Sequence, residues 1–152
     1  MEIIALPKKI QIEDLSLKVS VPKSTVKDIY NGYCDYIAEQ VVNGKTVKFL
    51  NLFYMVKDGY RGSRETLAYA SHELANRLGI SPIVCLRVLK ELQESVIVHL
   101  NRGYIFNIRG IANISVGIYN GVNVVYVKKS TNFRNLNVSV SQTRYLRNCL
   151  RA

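Results

Sequence analysis

Shifting the sequence against itself by 59 residues lays residues 15–56 over residues 74–115 without a gap, and the apolar positions coincide. Leu15 meets Leu74, Val19 meets Leu78, Ile29 meets Val88, Tyr33 meets Leu92, Ile37 meets Val96 and Val41 meets Leu100. Gly44 then meets Gly103, and beyond it Val47, Phe49, Leu52 and Met55 meet Phe106, Ile108, Ile111 and Ile114. Any two amphipathic helices can be slid into phase, but helix, stop and strand at one offset point to a duplicated unit. Such a chain is expected to fold as α+β, with two helix–helix–strand units in tandem.

Read in order, residues 1–14 are expected as an extended lead-in. Val26, Ile29, Tyr30, Tyr33, Ile37 and Val41 recur at three- and four-residue steps and predict an amphipathic helix from Pro22, stopped at Asn43-Gly44. Residues 46–55 are rich in Val, Phe, Leu and Tyr and predict one buried strand. Residues 59–62 are expected as a linker. Ser63 is a candidate N-cap for a helix striped by Leu67, Ala70, Ser71, Leu74 and Leu78, ending at Gly79. Ser81-Pro82 opens a longer helix bearing Leu86, Leu89, Leu92, Val96 and Leu100, ended by Arg102-Gly103. Residues 104–119 are strand-like, Asn120-Gly121 is a two-residue hairpin turn, and residues 122–127 return. A strand over 136–140 and a helix over 142–150 complete the chain. The expected organisation is thus a first, incomplete unit over 15–58 and a second over 63–152 that carries the hairpin and the final helix.

Charge separates the two halves. Residues 1–94 hold 13 Lys and Arg against 11 Asp and Glu, whereas no acidic residue follows Glu94 and eight basic ones do. An acid-free half faces a polyanion or an acidic partner, or is simply solvated. Its candidate contact residues are Arg109, Lys128, Lys129, Arg134, Arg144, Arg147 and Arg151. Cys34, Cys85 and Cys149 lack disulfide or zinc spacing, and Cys85, inside an apolar stripe, reads as a small buried hydrophobe. No membrane span and no secretion signal are expected.

The unit of short helix, tight turn, long helix, glycine and kinked strand resembles the HU and integration-host-factor (IHF) family of nucleoid proteins. The likeness rests on Leu74-Ala75-Asn76-Arg77-Leu78-Gly79-Ile80-Ser81 for the first helix and turn. It rests also on Gly110-Ile111-Ala112-Asn113-Ile114 for the glycine-lined strand, whose place Asn51-Leu52-Phe53-Tyr54-Met55 takes in the first copy. Most similar in kind are the IHF-fold proteins of crAss-like tailed phages, where the fold serves in virion tail rings. The family's arm tip, Asn-Pro-x-Thr-Gly, has no match, because the last proline is Pro82. Wedging of a proline between base pairs is therefore not expected. A rival resemblance is to a winged helix-turn-helix, with residues 82–92 as recognition helix and Tyr104 onward as wing. The long unbroken helix and its apolar character speak against it.

Catalytic chemistry has no candidate. His72 and His99 stand at no ligand spacing and read as partly exposed helical residues, and no phosphate loop or nucleophile elbow occurs. Asp35 and Glu39, four apart, read as a solvated helix face. Tyr30 and Tyr33 fit the core stripe, while Tyr104, Tyr119 and Tyr126 are expected to be exposed on strands. The expected protein is non-enzymatic, with no cofactor, no metal and no small-molecule substrate. The resemblance implies a ring or collar subunit of a virion, made in the host cytoplasm, with copies of itself or other virion proteins as partners. The apolar hairpin over 116–127 suits such a contact. The alternative it implies is an architectural protein of the nucleoid that holds duplex DNA by its phosphates.

Overall fold

The computed structural model describes residues 6–7, 12–57 and 66–150. Its elements are β1 (Leu6–Pro7), α1 (Ile12–Val19), α2 (Lys23–Val42), β2 (Val47–Phe49), β3 (Phe53–Lys57), α3 (Leu67–Leu78) and α4 (Pro82–Asn101). There follow β4 (Tyr104–Ile108), β5 (Ala112–Tyr119), β6 (Val122–Lys129), α5 (Thr131–Asn135), β7 (Val138–Gln142) and α6 (Arg144–Cys149). The fold is mixed α+β, with one sheet ordered β1-β4-β5-β6 and another ordered β2-β3-β7.

The offset of 59 found in the sequence recurs in the hydrogen bonds. α2 and α4 are both 20 residues long and begin 59 positions apart. Each is stopped by a left-handed glycine, Gly44 at φ 86° and Gly103 at φ 81°. The pairs Val47↔Met55 and Phe49↔Phe53 of β2–β3 become Phe106↔Ile114 and Ile108↔Ala112 of β4–β5. Leu52 N donates to Phe49 O at 2.8 Å, as Ile111 N does to Ile108 O at 2.9 Å. Two expected strands, over 46–55 and 104–119, are therefore each a tight hairpin. The break at Gly110 is a glycine turn, but that at Leu50 and Asn51 has no glycine to announce it.

Further differences from the sequence reading are local. The first helix starts at Ile12, inside the expected lead-in. Ser63 and the 59–62 linker lie outside the described residues, and the cap of α3 is Thr66, whose Oγ1 accepts from Tyr69 N at 3.1 Å. Ser81 precedes Pro82 as expected but makes no side-chain cap bond. Helix α5 is additional. His99 is buried, its Nε2 3.1 Å from Ile105 O and its ring 5.2 Å from that of Tyr104.

One larger difference concerns the first copy. β7 pairs with β3, from Phe53↔Gln142 to Lys57↔Val138, instead of joining the second copy's strands. The first copy is therefore not incomplete: its third strand and closing helix come from the far end of the chain. The physical reason is the second edge of β3, whose amides and carbonyls need a partner once the strand is built into a core. The second copy meets the same need with β6, Ala112↔Lys129 through Val116↔Val125. A second offset, of 13, relates the two closings: Thr143 N donates to Leu52 O at 2.9 Å, and Ser130 N to Ile111 O at 2.7 Å.

Packing follows this scheme. Each short helix touches both long ones, α1 on α2 and α4, α3 on α4 and α2. Gly32 permits one close approach, since a Cβ there would stand 3.3 Å from Leu78 Cδ1. Its counterpart Glu91 instead pairs with Lys18 at 3.4 Å. Between the sheets the Phe49 ring lies 5.1 Å from Tyr33 and 6.3 Å from Phe106, within one continuous apolar core. Of the α4 segment that a winged helix-turn-helix would use for recognition, Cys85, Val88, Leu89 and Leu92 are buried in that core.

Candidate interaction surfaces

The expected basic contact residues are distributed over several elements, and half of the six described ones are already engaged. Arg109, in the β4–β5 turn, pairs with Asp35 of α2 at 2.8 Å. Lys129 Nζ donates to Val138 O at 2.8 Å and so ties β6 to the start of β7. Arg134 reaches Thr131 Oγ1 at 3.4 Å. Lys128 stands on the outer face of the sheet beside Asn113, which accepts from Asn107 Nδ2 at 2.7 Å. Arg144 and Arg147 are exposed on α6, away from that sheet's strands in sequence and on the other closing helix. Arg151 lies outside the described residues.

Asp35 and Glu39 lie exposed, as the expected solvated face, and each carries an ion pair there. Glu39 takes a bidentate contact from Arg77, 3.0 Å at each oxygen, and this guanidinium holds its carboxyl below the usual range. Beside Asp35, burial pushes the Cys34 thiol up to about 11. Cys34 and Cys85 are buried and Cys149 half-buried, all as free thiols. Among the described residues no group of three His, Cys, Asp or Glu is placed to hold a metal ion, and no helix is long and apolar enough to cross a membrane.

Two apolar features stand out. The first is the β5–β6 ribbon. β4 pairs with β5 only up to Ile114, so residues 115–126 form a two-stranded ribbon without a third described strand. Asn120 and Gly121 turn it with φ of 51° and 77°, the left-handed pair that a tight hairpin wants. Residues 110–127 contain no charged side chain. At the ribbon's end Ile118, Tyr119 and Val122 are 55%, 52% and 62% exposed. Proteins ordinarily guard such an edge with lysine, proline or a bulge, and here none is present.

The second feature is a groove of about 600 Å³ between α2, the β4–β5 turn and α5. Ala38, Val42, Phe133 and Leu136 line it, and the Asp35–Arg109 pair stands at its polar end. Nothing in the chain's periodicity announces it, because its lining comes from segments far apart in sequence.

No known protein-family model matches the chain, and no curated protein is similar to it.

Proposed function

We propose that this chain is a non-enzymatic assembly protein, two HU/IHF-like units in one chain, serving as a ring or collar subunit of a tailed phage virion. The observation that carries the reading is the uncharged ribbon with exposed Ile118, Tyr119 and Val122 at its end. In the resembled family this position holds an arm that wedges a proline into DNA. Here it offers apolar surface and no cation, which suits burial against protein. The matching of strand register at one offset supports the two-unit reading of the fold. Mass spectrometry of purified particles tests it, with the chain expected at a fixed stoichiometry. Its absence from particles overturns the reading.

A DNA-binding architectural role is the second reading, favoured by Lys128, Arg144 and Arg147, which are exposed and unpaired among the described residues. Three phosphate contacts correspond to a log–log salt slope of about −3, shallower than that of proteins making six to ten. Titration of duplex DNA across salt measures that slope directly. Affinity that does not change with salt removes this reading.

A further inference from the structure

The relation between the two closing helices says what the groove beside α5 lacks. At the offset of 13, Asn132 of α5 holds the place of Tyr145 of α6. At the offset of 59, Asp35 of α2 holds the place of Glu94 of α4, and Ala38 that of Ile97. On the α6 side Tyr145 lies against α4 and its hydroxyl reaches Glu94 Oε1 at 3.4 Å, while Ile97 is buried. On the α5 side the smaller Asn132 and Ala38 leave the groove of about 600 Å³ open. It has room for a tyrosine: the floor is apolar, and the carboxylate of Asp35, paired with Arg109, stands where the hydroxyl would arrive.

The chain exposes one such side chain beside other apolar ones. Tyr119 pairs directly with Val122 across the hairpin, so the two share one face of the ribbon tip. The tip cannot reach the groove of its own molecule. Gly110 lines that groove at the base of β5, and eight strand residues carry the chain from there to Tyr119, roughly 20–25 Å away. The ribbon also carries no charge across residues 110–127, so it is the part of a chain with net charge +10 that a second copy approaches without like-charge contact.

Resting on the assembly reading, we infer that the ribbon tip of one copy, Tyr119 with Val122, seats in the α2–α5 groove of the next. Each copy then offers one tip and one groove. Such a head-to-tail contact closes into a ring if its rotation closes and grows into a filament if it does not. A single tip in a single groove makes a small interface, and the contact gains strength chiefly from closure.

Sedimentation velocity on the full chain, from micromolar to near-millimolar concentration, tests this. One variant carries Ile118→Ser, Tyr119→Ser and Val122→Ser; the other carries Asn132→Tyr, which sets a phenol over the groove at the place Tyr145 holds on the other side. All four positions are exposed, and unchanged circular dichroism and melting confirm that both variants fold. The wild type is expected to self-associate, and each variant to do so at least about tenfold more weakly. Mixed together, the variants are expected to form a 1:1 heterodimer that grows no further, since one tip and one groove remain. A wild type that stays monomeric, variants that associate as it does, or a mixture that gains nothing each overturn the inference. Wild-type association that both variants leave unchanged sinks the tip-and-groove contact while the assembly reading stands. Absence from particles removes that reading and leaves a measured tip-and-groove contact in place.

Discussion

Leu50 and Asn51 turn the backbone at φ of 52° and 59°, where residues with a Cβ are disfavoured by roughly 1–2 kcal/mol each. Leu50 is also fully buried, so its amide has no water to turn to. Tyr33 resolves this: its hydroxyl accepts from Leu50 N at 2.9 Å and lies 3.4 Å from Lys48 O, to which it donates. The second copy makes its turn with Gly110 at φ 77° and has Leu92 at the place of Tyr33. A phenol serves both turns: in the second copy Tyr30 takes the part of Tyr33, its hydroxyl accepting from Arg109 N at 3.4 Å and donating to Asn107 O at 2.9 Å, and only the first copy has no glycine there. Tyr33→Phe leaves the Leu50 amide buried and unpaired, at a cost of about 1–3 kcal/mol. For a chain of this size that lowers the melting temperature by roughly 2–10 °C. An unchanged melting curve would show that the turn holds without the hydroxyl.

The two closing helices begin with the same device. Thr143 Oγ1 accepts from Leu146 N at 3.2 Å and donates to Asn51 O at 2.8 Å. Ser130 Oγ accepts from Phe133 N at 3.4 Å and donates to Gly110 O at 3.1 Å. Each side chain therefore caps a helix and fastens it to a hairpin turn. Thr143 is buried and its bonds are shorter, so Thr143→Ala is expected to cost about 1–2 kcal/mol and Ser130→Ala less. Urea midpoints of the two variants compare them, and the reverse order would contradict this account. Elements of this kind were legible in the sequence only where periodicity or glycine marked them. The long helices had both. Five-residue α5, Thr-Asn-Phe-Arg-Asn, is too short and polar to show a helical stripe, and Leu50-Asn51 carried no turn signal. The basic residues were countable, but the partner of Arg109 lies 74 positions away and that of Lys129 is a backbone carbonyl. The groove was invisible because it is defined by Asn132 and Ala38, whose meaning appears only beside Tyr145 and Ile97.

Alternation along a strand tells which face is buried but not which strand lies alongside, and at the scale of the whole molecule that is why the sequence alone groups 138–150 with the segment before it, whereas β7 pairs with β3. The pairing Lys57↔Val138 occupies the register that Val116↔Val125 holds in the second copy. Where the second copy extends its ribbon, the first has the entire second copy inserted between β3 and β7. β7 and α6 thus reach the first copy across the whole of the second in sequence. This means that chain order is incidental to the fold. Lys57 and Val138 face each other directly, so an Asn-Gly pair suffices to join them as a hairpin. A reordered chain tests this, running from residue 1 to 57, through Asn-Gly to 138–150, then through a Gly/Ser linker of about 20 residues to 66–137. It is expected to recover the native circular dichroism spectrum and to melt in a single transition, because both copies share one core. If β7 and α6 instead depended on following α5 directly, the reordered chain would collapse without cooperative melting, and the nested arrangement would be wrong.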